Sequence, residues 1–360
     1  LIPGGVGGTE IYLRSLLGAL AENDRENRYV VFACREAESA LCPPRENFRF
    51  VREPVPARLR PARLLWEQTV LPLRVAQHRL DVLLNAGFTA PVFAPCPSVT
   101  VFHDLQYKRH PEYFRWFDLP FWRLFLWLAA RRSRLVLADS EATRADFLRY
   151  YRLPAERVRV VPLGVDPFFF TLSSARRPER SRPFILCVST LHPHKNLDRL
   201  LGAFARLRRG HPHLRLVVAG MRGFHADALE RRIAELGLRG VVELTGWIPR
   251  DRLYELYRTA LAFVYPSEFE GFGLPVLEAL AAGLPTACSN IEPLASLAGD
   301  AALLFEPHSE EQIAESLRCL LQDEALQRRL SRLGPERAAC FSWRRTAELT
   351  LAALCEAARG

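Results

Sequence analysis

Residues 265–285 read YPSEFEGFGLPVLEALAAGLP, and their order predicts a strand, a loop, a helix and a stop. Pro275 stands where a first helical position is expected, because its missing N–H costs nothing there. Gly283 suits the position just past the helix end, and Pro285 prevents continuation. Gly271 and Gly273 leave a bare loop ahead of the helix. A helix start with exposed backbone N–H groups is a natural phosphate site. Glu270 lies in the loop and Glu278 in the first turns of the helix, spaced E-x7-E. Two carboxylates there suit hydroxyl donors, such as sugar and ribose OH groups. They repel a bare phosphate, so they should flank it rather than touch it. The plainer alternative is a capped helix carrying two solvated glutamates.

Outward from this stretch, short apolar runs alternate with helical patterns along the whole chain. The runs are Tyr29–Ala33, Asp81–Asn85, Ser98–Phe102, Leu135–Ala138 and Val158–Val161, then Phe184–Val188, Leu214–Ala219, Val241–Leu244, Ala262–Tyr265 and Pro285–Cys288. They lack a polar alternation, as parallel strands buried on both faces do. Helical stretches such as Glu10–Leu20, Leu197–Leu207, Ala226–Leu236 and Arg250–Leu256 lie between them, which argues for two doubly wound α/β domains. The segment TLSSARRPERSRP at 171–183 is polar and proline-bearing and reads as a linker. No strand precedes the glycine loop at Pro3–Gly8, so the opening strand of the first domain is expected to lie upstream of Leu1. Thr9 is expected to cap the helix that follows the loop.

The chain has 360 residues, 49% of them hydrophobic and 25% charged, the balance of a globular protein with sizeable cores. It has no run of about eighteen apolar residues, the length a membrane-spanning helix needs. The eight cysteines form no C-x-x-C pair, which argues against a zinc cluster or a thioredoxin-like site and for reduced thiols in a cytoplasmic protein. The net charge of +9 comes almost wholly from arginine; Lys108 and Lys195 are the two lysines. Positive charge fits an anionic partner, such as nucleotide phosphates, anionic lipid or nucleic acid. No nucleic-acid-binding motif accompanies it, so nucleic acid is not expected. No D-x-D pair is present, so a metal-bridged diphosphate site is not expected either.

EGFGLPVLEALAAGLP resembles the signature of the retaining glycosyltransferases of family 4, the group 1 glycosyltransferases. The resemblance runs over nearly the whole chain. PGGVGGTEIYLRSLLGAL is similar to the family's N-terminal glycine loop and first helix, TVFHDLQYKRHPEYF to its His-Asp segment, and ADSEATRADFLRYY to its Ser-bearing segment. VRVVPLGVD resembles the end of the first domain, and FILCVSTLHPHKNLDRLLGAF and LRLVVAG the opening of the second. The likeness is greatest to bacterial mannosyltransferases that use GDP-mannose. It implies the GT-B fold, two Rossmann-like domains facing across a cleft. Residues 1–170 would bind the acceptor and 184–340 the nucleotide sugar, with a C-terminal helix at 341–360 crossing back onto the first domain.

The resemblance also assigns roles. Glu270 and His103 would face the transferred sugar, and Lys195 would hold the donor diphosphate and neutralise the leaving group. Glu278 would take the ribose hydroxyls. Gly271, Phe272, Gly273 and Leu274 would supply the helix start, with Thr190, His194 and Gly5 also on the donor. Many relatives carry an Arg-Lys pair and an earlier arginine where this chain has His194-Lys195 and Thr190. Asp104 would orient the His103 imidazole or cap the next segment. Trp66-Glu67-Gln68 reads as a helix on the acceptor side. Tyr113–Arg134, rich in aromatics and arginine, reads as a core helix of the acceptor domain, or else as a helix on the inner membrane surface. The implied activity is retaining, metal-independent hexosyl transfer to a glycan or lipid-linked glycan, with no cofactor beyond the nucleotide sugar. A UDP-sugar donor and a non-catalytic nucleotide-sugar-binding protein stay open as alternatives.

Overall fold

A computed structural model describes residues 8–114, 119–179 and 181–360. The chain forms two compact units. One runs to Gly164 and includes Ser342–Gly360; the other is Val165–Phe341.

In the first unit, β1 (Tyr29–Ala33) pairs in parallel with β2 (Phe48–Arg52). A separate sheet orders β3 (Leu83–Asn85), β4 (Ser98–Phe102), β5 (Leu135–Ala138) and β6 (Val158–Val160), all parallel. The expected single sheet is therefore divided among the described residues. Strand β2 escapes the sequence reading because FRFVR is an edge strand with exposed Arg49 and Arg52, not an apolar run. Helix α1 (Gly8–Asn23) already contains Thr9, so Thr9 does not cap it from outside. The opening strand and Gly5 fall outside the described residues. Helix α2 (Arg60–Gln77) lies over both sheets, since Phe32 of β1 and Leu83 of β3 share a cluster with its Leu71 and Val75.

Helix α3 (Leu119–Arg132) is only half a core helix. Leu126, Ala129 and Ala130 are buried, while Phe121, Leu124 and Trp127 are exposed. The C-terminal helix Trp343–Arg359 packs on α1 in this unit. Ser342 caps it by accepting from the Arg345 amide at 3.2 Å, and Thr346 Oγ1 donates to the Pro162 carbonyl at 2.7 Å.

The second unit holds one six-stranded parallel sheet. Its members are β7 (Phe184–Val188), β8 (Arg215–Ala219), β9 (Val242–Gly246), β10 (Ala262–Tyr265), β11 (Thr286–Ser289) and β12 (Leu303–Phe305), in the order β12-β11-β10-β7-β8-β9. Strand β12, three residues long, is a second one the sequence pattern misses. Chain order reverses between β7 and β10, so the two loops leaving these strands flank a topological switch point, where open α/β sheets bind ligands.

The expected linker is not free. Helix α4 (Phe168–Ser174) takes its first residues, because three consecutive phenylalanines make a helical turn with one face to bury. The Phe169 ring packs edge-on against Tyr254 and Tyr257, each at 5.1 Å. Beyond it, the Arg176 guanidinium donates to the carbonyls of Tyr257 and Ala260. The division thus falls at Gly164 rather than at 170.

Gly164 tests the docking of the C-terminal helix. A Cβ there would collide with the Trp343 amide. Overpacking of that kind costs about 1–3 kcal/mol. Gly164→Ala is expected to lower Tm by several degrees and to expose the C-terminal helix to limited proteolysis; an unchanged Tm would contradict this packing.

Candidate functional site

The loops after β7 and β10 are stitched together. After β7 the chain makes one turn of 3₁₀ helix, Pro193–Lys195, and Asn196 then enters the left-handed region at φ +57°. Asparagine tolerates that conformation better than most residues. Its buried amide donates to the Pro266 carbonyl at 3.0 Å and to the Pro307 carbonyl at 2.6 Å. The His194 carbonyl accepts from the Glu268 amide at 2.8 Å and from Ser267 Oγ at 3.2 Å. Helix α5 (Leu197–Leu207) anchors this turn through buried Leu197, Leu200, Leu201 and Phe204.

The stitching brings Lys195 and Glu270 together. Lys195 Nζ lies 2.5 Å from Glu270 Oε1 and donates to the Tyr265 hydroxyl at 3.1 Å. The two side chains are only 13% and 11% exposed, so the pair is largely shielded from solvent screening. Thr190 is half-buried and His194 is buried, its ring stacked on His192 at 5.9 Å. Neighbouring Arg199, absent from the sequence-based set, binds Asn196 Oδ1 at 2.8 Å and Glu268 at 2.5 Å.

Helix α7 (Leu274–Ala281) starts at this edge. Gly273, at φ +112°, is its N-cap, and a side chain there would strike Leu294. Gly271 and Phe272 are buried, the latter against the Phe341 ring at 5.9 Å. Leu274 and Pro275 open the helix, and Gly283 ends it at φ +64°.

Glu278 lies one turn inside α7 and is buried. The Tyr257 hydroxyl, from helix α6 (Arg250–Thr259), donates to it at 2.9 Å. Burial raises the Glu278 pKa to about 7, against smaller opposing effects of Tyr257 and the Arg250 charge. Arg250 in turn pairs with Asp166, which also accepts from Tyr254 at 2.6 Å. Tyr257 and Arg250 carry no sequence signal, because both sit within an ordinary helical pattern.

His103 belongs to the first unit, at the end of β4. Its Nδ1 lies 2.7 Å from Asp139 Oδ2, and Asp139 ends the adjacent strand β5. Asp139, not Asp104, therefore orients the imidazole; Asp104 accepts from the Gln106 amide at 2.9 Å. Adjacent parallel strands end level, and the acid opening the ADS segment was the available signal. Burial pushes the His103 pKa down, but the Asp139 charge and hydrogen bond, helped by Asp104, leave it above its ordinary value. Tyr12 and Phe88 pack edge-on against the ring at 5.0 and 5.5 Å.

Two titrations check these environments. Glu278 binds its proton more tightly when folded, so stability should fall as pH rises from about 4.5 to about 7, with the cost complete above that window. Glu278→Gln is expected to flatten the Tm profile across it; a wild-type profile that rises there would contradict the assignment. Asp139→Asn is expected to lower the His103 pKa measured by NMR, and an unmoved value would show that Asp139 does not set it.

Among the described residues, no three His, Cys, Asp or Glu side chains are grouped to hold a metal. No described helix is long and apolar enough to cross a membrane.

The chain matches two family descriptions, "Glycosyltransferase Family 4" over residues 6–169 and "Glycosyl transferases group 1" over 171–337. It is 30% identical over 257 residues to O-antigen chain mannosyltransferase B of Escherichia coli, covering 68% of this chain and 67% of that protein. It is 32% identical over 276 residues to the serotype-specific mannosyltransferase WbdA of Escherichia coli, covering 71% of this chain but only 33% of WbdA. The sucrose-phosphate synthase of Thermosynechococcus elongatus superposes with a TM-score of 0.77 at 20% identity, covering 98% and 93% of the two chains; at that identity the likeness speaks for the fold alone. The units are accordingly the two Rossmann-like domains of the GT-B fold, and the chain belongs to the family 4, group 1 glycosyltransferases.

Proposed function

We propose that the protein transfers an α-mannosyl group from GDP-mannose, with retention and without a metal, to a glycan or lipid-linked glycan acceptor in cell-surface polysaccharide synthesis. The observation that carries this reading is the Lys195–Glu270 pair at the switch point beside the start of α7. A cation, a carboxylate and a helix N-terminus together suit a sugar joined to a diphosphate. Lys195 and the amide end of α7 stabilise the negative charge growing on the leaving diphosphate. Glu270 takes the hydroxyls of the transferred sugar, near the carbon where positive charge develops. Glu278 takes the ribose hydroxyls. His103, held by Asp139, contacts the sugar or the acceptor hydroxyl. The mannosyl donor is supported by the names of the two Escherichia coli relatives.

Chemistry on one face of the sugar gives retention, with the leaving phosphate assisting the incoming hydroxyl. A covalent glycosyl–Glu270 intermediate, as in retaining glycosidases, is not part of the proposal. The exposed apolar face of α3, flanked by Arg131 and Arg132, favours contact with an anionic membrane surface.

The two glutamates separate the roles. Glu270→Ala is expected to lower kcat about 10²–10³-fold, the range for losing one group that stabilises transition-state charge. Glu278→Ala removes a contact shared by ground and transition states and should chiefly raise the donor KM. The product should be α-linked by NMR of its anomeric proton, and turnover should survive excess EDTA. A β-linked product would overturn retention; activity lost to EDTA and restored only by magnesium or manganese would overturn the assignment of the diphosphate to Lys195.

A further inference from the structure

Strand β10 lies between β7 and β11 and ends at Tyr265. The Tyr265 ring is 2% exposed and stacks on Phe263 at 6.2 Å; Phe263 stacks in turn on Tyr257 at 5.7 Å. The core therefore clamps the ring, and its hydroxyl is a fixed point at the strand end. That hydroxyl accepts from Lys195 Nζ at 3.1 Å, and Glu270 is its other polar neighbour. Lys195, Glu270 and Tyr265 thus form a triangle, with two members on loops and one on the sheet.

Packing does not call for the hydroxyl. Phenylalanine fills the same space, and a buried hydroxyl costs free energy unless it is hydrogen-bonded. Nor does the resting pair need it, since Lys195 and Glu270 compensate each other at 2.5 Å. The need arises when they part. A diphosphate draws Lys195 away, and Glu270, 11% exposed, then loses its countercharge. A shielded carboxylate in that position takes up a proton or turns away unless donors replace the cation. Sugar hydroxyls replace it in part, and a donor fixed in the protein replaces the rest. Burial, followed by the charge and hydrogen bonding of Glu270, pushes the Tyr265 pKa well above its ordinary value, so the hydroxyl keeps its proton and remains a donor. Glu278, Cys187 and Tyr257 are the other titratable groups that act on it, and none is a cation.

We propose that Tyr265 is a positioning residue of the transfer: its hydroxyl holds Lys195 and Glu270 to one point in the free protein, and it stays on Glu270, as donor, when Lys195 moves to the diphosphate. The inference rests on the glycosyltransferase reading above and adds the group that keeps Glu270 charged and aimed at the sugar.

The test compares the full wild-type chain with Tyr265→Phe. The first readout is NMR titration of Glu270 in protein carrying carboxyl-13C glutamate, without ligand and with GDP. Losing a hydrogen bond to a charged group should raise the Glu270 pKa by about one unit, and by more with GDP than without. The second readout is turnover of GDP-mannose. In the variant kcat should fall about tenfold or more, while the donor KM stays within about threefold. The acid limb of its kcat profile should move upward together with the Glu270 pKa. A folded variant with an unmoved Glu270 titration and an unmoved acid limb would overturn the proposal, whatever its Tm. So would a raised KM with kcat unchanged. If the phenylalanine variant loses its fold, the wild type decides alone: on adding GDP, Glu270 should keep its charge at about pH 7, and protonation there would overturn the proposal. Wild-type protein that turns over no GDP-mannose would overturn the donor reading instead, and the ligand-free titration would still show whether the Tyr265 hydroxyl holds Glu270.

Discussion

The left-handed turn at Asn196 is the constraint on which the rest of the second unit's site depends. Its amide ties the loop after β7 to carbonyls in the loops after β10 and β12. Lys195 precedes that turn, and Glu270 follows the loop it grips. Their 2.5 Å contact is thus set by the Asn196 side-chain amide holding backbone carbonyls rather than by two flexible side chains finding one another. A pair so little exposed is a poor way to gain stability, because desolvating both charges offsets much of their attraction. It is better understood as a preorganised site, in which a cation and a carboxylate wait where a diphosphate and a sugar are proposed to sit. Preorganisation matters because fixed charges need not reorient as charge develops in the transition state.

The first unit repeats the device with different groups. His103 and Asp139 directly follow the paired ends of neighbouring parallel strands, whereas Lys195 and Glu270 lie farther out, in the loops after β7 and β10. In both places the sheet supplies the alignment and the loops supply the chemistry. The aromatic rings of Tyr12 and Phe88 hold the imidazole.

Much of this was legible before the structure. Apolar runs such as FILCV and AFVY are strands because parallel strands are buried on both faces, and the E-x7-E stretch placed helix α7 after a glycine loop. What escaped has physical causes. FRFVR is an edge strand whose arginines face solvent, so its pattern lacks an apolar run. The polar stretch after Phe170 looks like a linker, yet Arg176 binds two carbonyls and the phenylalanines before it bury a face. Asp104 adjoins His103 in sequence, but strand geometry gives the imidazole to Asp139, thirty-six residues away. Neighbours along a chain are visible in a sequence; neighbours across a sheet must be derived from strand pairing. Gly5 lies outside the described residues.

The central claim is that the Lys195–Glu270 pair is the donor's waiting site. A crystal structure of the protein with GDP-mannose, or with a non-transferable analogue, tests it most directly. The account predicts that Lys195 Nζ leaves Glu270 for a diphosphate oxygen, that Glu270 turns to hydroxyls of the mannose, and that the turn at Asn196 stays where it is. A complex in which the diphosphate lies away from the start of α7, with the Lys195–Glu270 contact intact, would contradict it.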